Sequence, residues 1–490
     1  MTITAHRSEQ ELRPDPGRVI ARIFLPGEEL PNTPSRAGAV VERVLALPEN
    51  ECEALVAAML EDFADRHRDY EGILAAHAAM VSVHLGRSRA LTPARTLLLG
   101  ASFTAEFALE GAALCNPSAV PHPDQTSLQP GQVRVAVSLR GVGEGHLSSV
   151  GFATAVAGPG DLWSFDPRPL PAVPGVIAVA RWRPEHVLAI LADQGSIDEL
   201  AHNVLAAVPP EFSGPDLERA LAEAPPDLVL RPEAQATTDL LRKIVSSAYE
   251  TGFPPDVALA QQVLLPVVAE ERNGIEDARF VRFVEDDGGV DYRATYTGYD
   301  GREITSRLFT SPDLRAFQAH RLAGSAAANK GMALFPRRIH GRYVSLCRSD
   351  GETNCLAWSS DGYVWSDPVP VHQPSASWEM LQVGNCGSPI ETDRGWLVLT
   401  HGVGPMRKYS ISAILLDLDR PTHVLGRLDY PLLKPATDEQ DGYVPNVVYS
   451  CGGIVNDGLL WLPYGIGDAR IGVAWIPLDE LLDQMSTTRA

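Results

Sequence analysis

Gly274-Ile275-Glu276-Asp277-Ala278-Arg279 sets two adjacent carboxylates and an arginine at the start of a strand-rich stretch that runs to Tyr299. A carboxylic acid held beside a fixed guanidinium is a common way to position a proton donor, and inverting sugar chemistry uses such donors. Taken alone, the motif has a plainer reading. Asp277 and Arg279 would form a solvated ion pair on a turn, and pairs of that kind contribute little. Other polar residues stand at strand ends and turns far apart in the chain: Asn116, Arg140, Lys330, Arg348, His401, Tyr409 and Asp468. Each has an equally ordinary explanation as a turn residue, a surface charge or a buried histidine. Gly384-Asn385-Cys386-Gly387-Ser388-Pro389 adds a glycine turn of the kind whose backbone N–H groups cradle anions. The chain carries no G-x-G-x-x-G, Walker, HExxH or G-x-S-x-G motif, which argues against nucleotide binding, zinc hydrolysis and serine acyl transfer.

These residues become a site only if the elements bring distant strand ends together. Residues 133–140 alternate valines with polar positions and predict a strand, residues 148–156 predict a second, and Gly141 to His146 form the loop between them. From Ile275 to Leu482 the sequence is a succession of short strands broken by glycine and aspartate turns, as at Ser360-Asp361-Gly362, Asp393-Arg394-Gly395 and Asn456-Asp457-Gly458. Equivalent points recur at roughly 45–65 residues, close to the size of a propeller blade. Five such units are counted when residues 133–156 and 280–297 are included. The predicted fold class is therefore an all-β, five-bladed β-propeller with added α-helical N-terminal and inserted segments. In such a fold the corresponding strand ends converge on one central pocket.

The helical segments have their own pattern. Residues 1–38 are rich in proline and charge and predict an irregular arm. Residues 39–85 carry helical spacing, with helices at 49–60 and 70–85. Residues 184–269 predict further helices at 185–193, 196–207, 217–222, 237–249 and 256–268, separated by proline and glycine stops. The resulting domain reading is an N-terminal arm and helical region at 1–95, the first part of the propeller at 96–183, a helical insertion at 184–270 and the remainder of the propeller at 271–485.

Composition bounds the partners. The 490 residues carry a net charge of -21, with 45% hydrophobic and 21% charged residues. That balance supports a sizeable core and disfavours nucleic acid or an anionic membrane surface as a partner. An anionic substrate would need a local basic pocket. The six cysteines are dispersed with no CxxC pair, so the expectation is reduced thiols, no zinc site and no disulfide framework. The first residues lack an apolar targeting core, and no apolar run approaches membrane-spanning length, which predicts a cytoplasmic protein.

The motifs together resemble glycoside hydrolase family 130, the β-mannoside phosphorylases and related β-mannosidases. The matching pieces are Gly274 through Arg279; Asn329-Lys330-Gly331-Met332-Ala333-Leu334-Phe335-Pro336 with Gly341-Arg342-Tyr343; the Gly384 loop with Gly395-Trp396 and His401-Gly402-Val403; Tyr409 with Leu415-Leu416-Asp417-Leu418; Val444-Pro445-Asn446-Val447-Val448; and Tyr464-Gly465 with Asp468 and Ile471-Gly472-Val473-Ala474. They occur in the family's order over residues 275–482, with weaker matches at Asn116-Pro117, Arg140 and Ser148-Ser149. The resemblance implies a five-bladed propeller with the active site in its central funnel. It implies an inverting enzyme with Asp277 as general acid, acting through the 3-hydroxyl of the mannosyl unit while phosphate attacks the anomeric carbon to give α-mannose 1-phosphate. Phosphate is an anionic nucleophile that needs cations and donors rather than a general base. The resemblance assigns phosphate to Arg348, His401 and Asn385, and the sugar to Asn116, Arg140, Glu276, Lys330, Tyr409 and Asp468. No cofactor or metal is implied beyond inorganic phosphate as co-substrate, with a short β-mannoside as the small-molecule partner. Two departures stand out. Gln382 occupies a position where many phosphorylases place a phosphate-binding lysine, which turns attention to Arg337, Arg338 and Arg407 as substitutes. The segments 39–85 and 184–270 exceed the minimal family chain and are candidates for a lid, a specificity element or a homo-oligomer interface. Two alternatives stay open: an inverting β-mannosidase using Glu276, Glu352 or Glu379 as base, and a non-catalytic sugar-binding propeller.

Overall fold

The computed structural model describes residues 3–26, 35–82 and 90–485. The chain divides into two compact units, one of residues 1–14, 112–168 and 175–490, the other of residues 15–111 and 169–174. The larger unit is mainly β, with antiparallel pairing throughout its sheets. One sheet runs Ala113–Pro121, Val133–Val142 and Ser148–Gly158, with Leu162–Phe165 and Gln262–Leu264 beside the last. A second runs Ile275–Val284, Val290–Tyr299, Ile304–Ser311 and Ala316–Arg321, then Tyr249–Gly252 and Val176–Val179. A third holds Ala333–Leu334, Tyr343–Cys347, Asn354–Ser359 and Ser366–His372. A fourth holds Gln382–Asn385, Gly395–Gly404, Lys408–Leu416 and Val424–Arg427. The fifth runs Val448–Tyr449, Leu459–Ile466, Arg470–Pro477 and finally His6–Leu12 from the other end of the chain. Alternating residues along these strands build apolar layers between the sheets. Leu397, Leu399, Ile411 and Ala413 meet Leu460, Leu462 and Ala474, while Val135, Val137 and Ala153 meet Trp461, Ile471 and Val473.

The first strand corrects the irregular arm expected at residues 1–38. His6–Leu12 pairs with Arg470–Pro477, and Val19–Ile23 pairs with Thr104–Ala108 in the smaller unit. The sequence HRSEQEL shows no apolar alternation because it is an edge strand held by polar contacts. Arg7 bonds Glu439 through both carboxylate oxygens at 2.8–3.0 Å, Arg470 bonds Glu11 at 3.1 Å, and His6 stacks on Trp475.

The insertion forms helices at Pro184–Asp193, Glu199–Ala207, Gly214–Ala222, Pro226–Val229 and Ala234–Val245. Their starts follow from chemistry. Asp198 caps Ala201 N–H, Ser213 and Asp216 form a capping box, and prolines occupy the first turns of three helices. Their apolar faces close around Trp182, Ile190, Phe212 and Leu241. The helix expected at 256–268 is absent. A single turn at Leu259–Gln261 leads into strand Gln262–Leu264, which pairs Val263 with Gly151 and Leu264 with Val150. A short apolar run cannot tell a buried strand from a helix, and here the open edge of a neighbouring strand decides. In the smaller unit, helices Arg36–Ala46, Glu49–Phe63, Tyr70–Ser82 and Pro93–Ser102 bury Val44, Ala78, Leu99 and Phe103. Residues 83–85 of the predicted second helix lie outside the described residues. No helix among the described residues is long and apolar enough to cross a membrane.

Candidate active site

The site begins with two backbone irregularities. Ile275–Val284 loses register with its neighbour between Glu276 and Arg279, and Ala113–Pro121 does so between Cys115 and Ser118. The extra residues, Asp277 and Asn116, adopt left-handed backbone with φ of 54° and 50°. A bulge of this kind re-aims one side chain without ending the strand, and Asn and Asp tolerate the conformation best among residues other than glycine. The two side chains meet, and Asn116 Nδ2 donates to Asp277 Oδ1 at 2.5 Å. The two bulged strands are also tied together where Ser118 Oγ accepts from Phe280 N–H at 3.0 Å.

Around this pair lies a cavity of about 430 Å³ lined by Asn116, Arg140, Asp277, Lys330, Arg348, Gln382, His401, Arg407, Tyr409, Val444, Val447, Tyr449 and Asp468. Eight predicted residues, Asn116, Arg140, Asp277, Lys330, Arg348, His401, Tyr409 and Asp468, therefore meet at one place. They come from all five large sheets or the loops that join them. Glu276 stands behind the wall, accepting from Arg140 Nη2 at 2.6 Å. Asn385 is buried at the end of strand Gln382–Asn385, does not line the cavity, and its side-chain amide has no hydrogen-bond partner among the described residues.

Arg279 does not form the ion pair that the motif alone predicted. Its buried guanidinium donates to the Asp277 backbone carbonyl at 2.9 Å, the Cys386 carbonyl at 3.0 Å and Tyr449 Oη at 2.7 Å. The carboxylate of Asp277 instead faces Arg140 at 3.5 Å. Burial pushes the Asp277 carboxyl up, but Arg140, Arg279 and Lys330, with the Asn116 bond, hold it below the usual aspartate range. Asp468 goes the other way. Burial, then the nearby negative charge of Asp277, raise it to about 6. His401 is buried beside Arg348 and Arg279 and is held well below the ordinary histidine value, so its ring is neutral. Arg348 Nη1 reaches His401 Nε2 at 3.4 Å. Gly384 makes this packing available, since a Cβ there would collide with the His401 ring and press on Arg348.

The charges are unevenly partnered. Arg140 is engaged by Asp277 and Glu276, whereas Lys330, Arg348 and Arg407 make no ion pair among the described residues. Arg348 Nε, Asn116 Oδ1, His401 Nδ1 and Asp468 Oδ1 are buried without a partner among the described residues. Of the substitutes considered for Gln382, only Arg407 lines the cavity. Arg337 is taken by Glu391, and Arg338 by Glu285 and Asp286. None of the candidate bases lines it either: Glu276 is bound to Arg140, Glu352 is exposed, and Glu379 is buried against His372.

Sequence reasoning missed Tyr449, which sits between Arg279 and the cavity and stacks edge-on against His401. It also passed over a repeated signal. Arg140-Gly141-Val142-Gly143 and His401-Gly402-Val403-Gly404 end corresponding strands in two sheets, each followed by a tight turn with left-handed residues. That repeat pairs Arg407 with His146 as equivalent turn ends, and it distinguishes Arg407 from Arg337 and Arg338, the other two substitutes considered.

A family model described as beta-1,4-mannooligosaccharide phosphorylase matches residues 256–487. A 1,2-beta-oligomannan phosphorylase from Thermoanaerobacter sp. (strain X514) is 35% identical over 228 residues, covering 46% of this chain and 75% of that protein. A beta-1,2-mannobiose phosphorylase from the same organism is 34% identical over 223 residues, covering 45% of this chain and 72% of its own length. Among solved structures, a beta-1,2-mannobiose phosphorylase from Listeria innocua, in complex with beta-1,2-mannobiose, superposes with a TM-score of 0.45 at 21% identity. That likeness covers 78% of this chain and 94% of the other.

Proposed function

The chain belongs to the glycoside hydrolase 130 family, and from that premise we propose that it cleaves short β-mannosides by inverting phosphorolysis, releasing α-mannose 1-phosphate. The five large sheets are read as the five blades of a propeller whose funnel is the cavity around Asp277. The observation that carries phosphate as the nucleophile is the charge inventory of that cavity. Lys330, Arg348 and Arg407, none in an ion pair among the described residues, stand with Arg140 and a neutral His401 against two carboxylates, Asp277 and an Asp468 raised to about 6, in a protein of net charge -21. Such a cluster is unfavourable unless an anion shares it.

In this reading Arg348, His401 and Lys330 hold phosphate, with Arg407 standing in for the lysine replaced by Gln382. Asn116, Arg140, Tyr409 and Asp468 hold the mannosyl unit. Asp277 gives its proton to the sugar's 3-hydroxyl, which passes its own to the glycosidic oxygen as that C–O bond breaks. Phosphate forms the new bond from the opposite face. An Asp277 held ionised by Arg140, Arg279 and Lys330 fits this order of events. Bound phosphate offsets the surrounding cations and adds like charge, so the Asp277 carboxyl rises toward protonation as phosphate arrives. The experiment is incubation with β-1,2- and β-1,4-mannobiose, with and without inorganic phosphate. Phosphate-dependent mannose 1-phosphate is expected. Free mannose at equal rates in both arms would overturn phosphorolysis in favour of hydrolysis, with Asp468 then the remaining carboxylate of the cavity to act as base.

A further inference from the structure

The six cysteines look dispersed in sequence, yet two of them face each other. Cys347 ends strand Tyr343–Cys347 and stands directly opposite Cys355 on Asn354–Ser359 in the antiparallel register. Directly opposed residues share one face of a sheet with Cα atoms about 4.5–5.5 Å apart, inside the span that disulfides bridge. Both thiols are free and buried, at 0% and 4% exposure, within one apolar layer with Leu334 and Trp365. They interact sulfur to sulfur. Burial pushes the Cys347 thiol up, and Cys355, the one of the pair with any surface exposed, is the thiol that a peroxide reaches.

The residue after Cys347 is Arg348, at the anion end of the cavity. Its side chain is held there by the 3.4 Å contact with His401, and its Nε has no partner among the described residues. We propose that Cys347 and Cys355 form a redox switch, in which a peroxide joins them and the new disulfide draws Arg348 away from the phosphate position. The inference rests on the phosphorolysis reading for its functional consequence. The Cys355 thiolate attacks one peroxide oxygen, the O–O bond breaks, and sulfenic acid and water form. Cys347 then attacks the sulfenic sulfur, the S–S bond forms, and a second water leaves. Two thiols are thus oxidised by two electrons and one peroxide is reduced. The Cβ atoms of an opposed pair sit about 4.5–5.5 Å apart, whereas a disulfide sets them at about 3.5–4.5 Å. Closing the bond therefore shifts the strand ends by about 1 Å at the turn that carries Arg348.

The test uses the full chain, reduced or treated with hydrogen peroxide, with two readouts. Peptide mapping by mass spectrometry is expected to find residues 347 and 355 linked with the loss of two hydrogens. Inorganic phosphate affinity, measured by titration calorimetry, is expected to weaken about tenfold, as for loss of one charge-assisted hydrogen bond, and to recover with dithiothreitol. Cys355→Ser and Cys355→Ala are expected to bind phosphate as the reduced wild type does and to resist peroxide. No 347–355 linkage, a linkage with unchanged phosphate affinity, or equal peroxide sensitivity in both variants would each overturn the proposal. A reduced protein that binds phosphate but does not phosphorolyse mannosides fails the proposed function alone, and the switch is still judged by linkage and affinity.

Discussion

At the scale of single residues, the cavity separates two carboxylates that share it. Asp277 is held ionised by Arg140, Arg279 and Lys330, while Asp468 is raised to about 6 by burial and by Asp277 itself. If Asp277 is the proton donor, Asp277→Asn is expected to lower kcat by about 10²–10⁴-fold while mannobiose binding persists, read by steady-state kinetics and calorimetry. Arg348→Ala is expected to raise the phosphate KM about 10–100-fold with a smaller change in the mannobiose KM. Asp468 gives a pH prediction with a definite sign. Its folded value exceeds the ordinary 3.8, so the stability linked to its protonated form is present below pH 4 and lost as pH rises through about 6. Asp468→Asn should therefore melt like the wild type near pH 3.5 and above it at pH 8. Equal melting temperatures at both pH values would count against a strained Asp468.

At the scale of elements, the bulges do the positioning. Asn116 and Asp277 each occupy the extra residue of a bulged inner strand, and the bond between them joins two sheets. Asn116→Ala removes that bond and places a residue that disfavours left-handed backbone at φ 50°. A loss of about 1–3 kcal/mol in chemical denaturation is expected, together with reduced turnover. The sequence let Asp277 be singled out because a family-like motif surrounds it, but not the bulge, since nothing in Ile275-Glu276-Asp277-Ala278 marks a register slip. The strand pairs at 133–156 and the sheet around 395–416 were legible from valine and leucine alternation and glycine turns. Strand His6–Leu12 was not, because its partners lie at the other end of the chain and its own side chains are polar. The strand at Gln262–Leu264 was misjudged for a related reason: its conformation is set by the exposed edge of Ser148–Gly158, a fact absent from the local residues. Arg279 was legible as a neighbour of Asp277, yet its bonds to the Cys386 carbonyl and Tyr449 Oη, more than 100 residues away, could only be seen in space.

At the scale of the whole molecule, the sheet that bears Asp468 on its hairpin is finished by the N-terminal strand. Ala5, just before that strand, packs with Leu432, Leu433 and Leu462 in the same apolar layer. Removal of residues 1–14 is expected to lower the melting temperature by about 5–10 °C and to cut phosphorolysis more than it cuts secondary structure, measured by circular dichroism and activity on one preparation. The pairing also has a consequence in time. A ribosome adding about 5–20 residues per second makes His6–Leu12 long before Arg470–Pro477 exists to receive it. The first strand must wait, unpaired, until residues 470–477 emerge. A chain stalled between residues 348 and 470 holds Asp277 and Arg348 but lacks strand Arg470–Pro477, the partner of His6–Leu12.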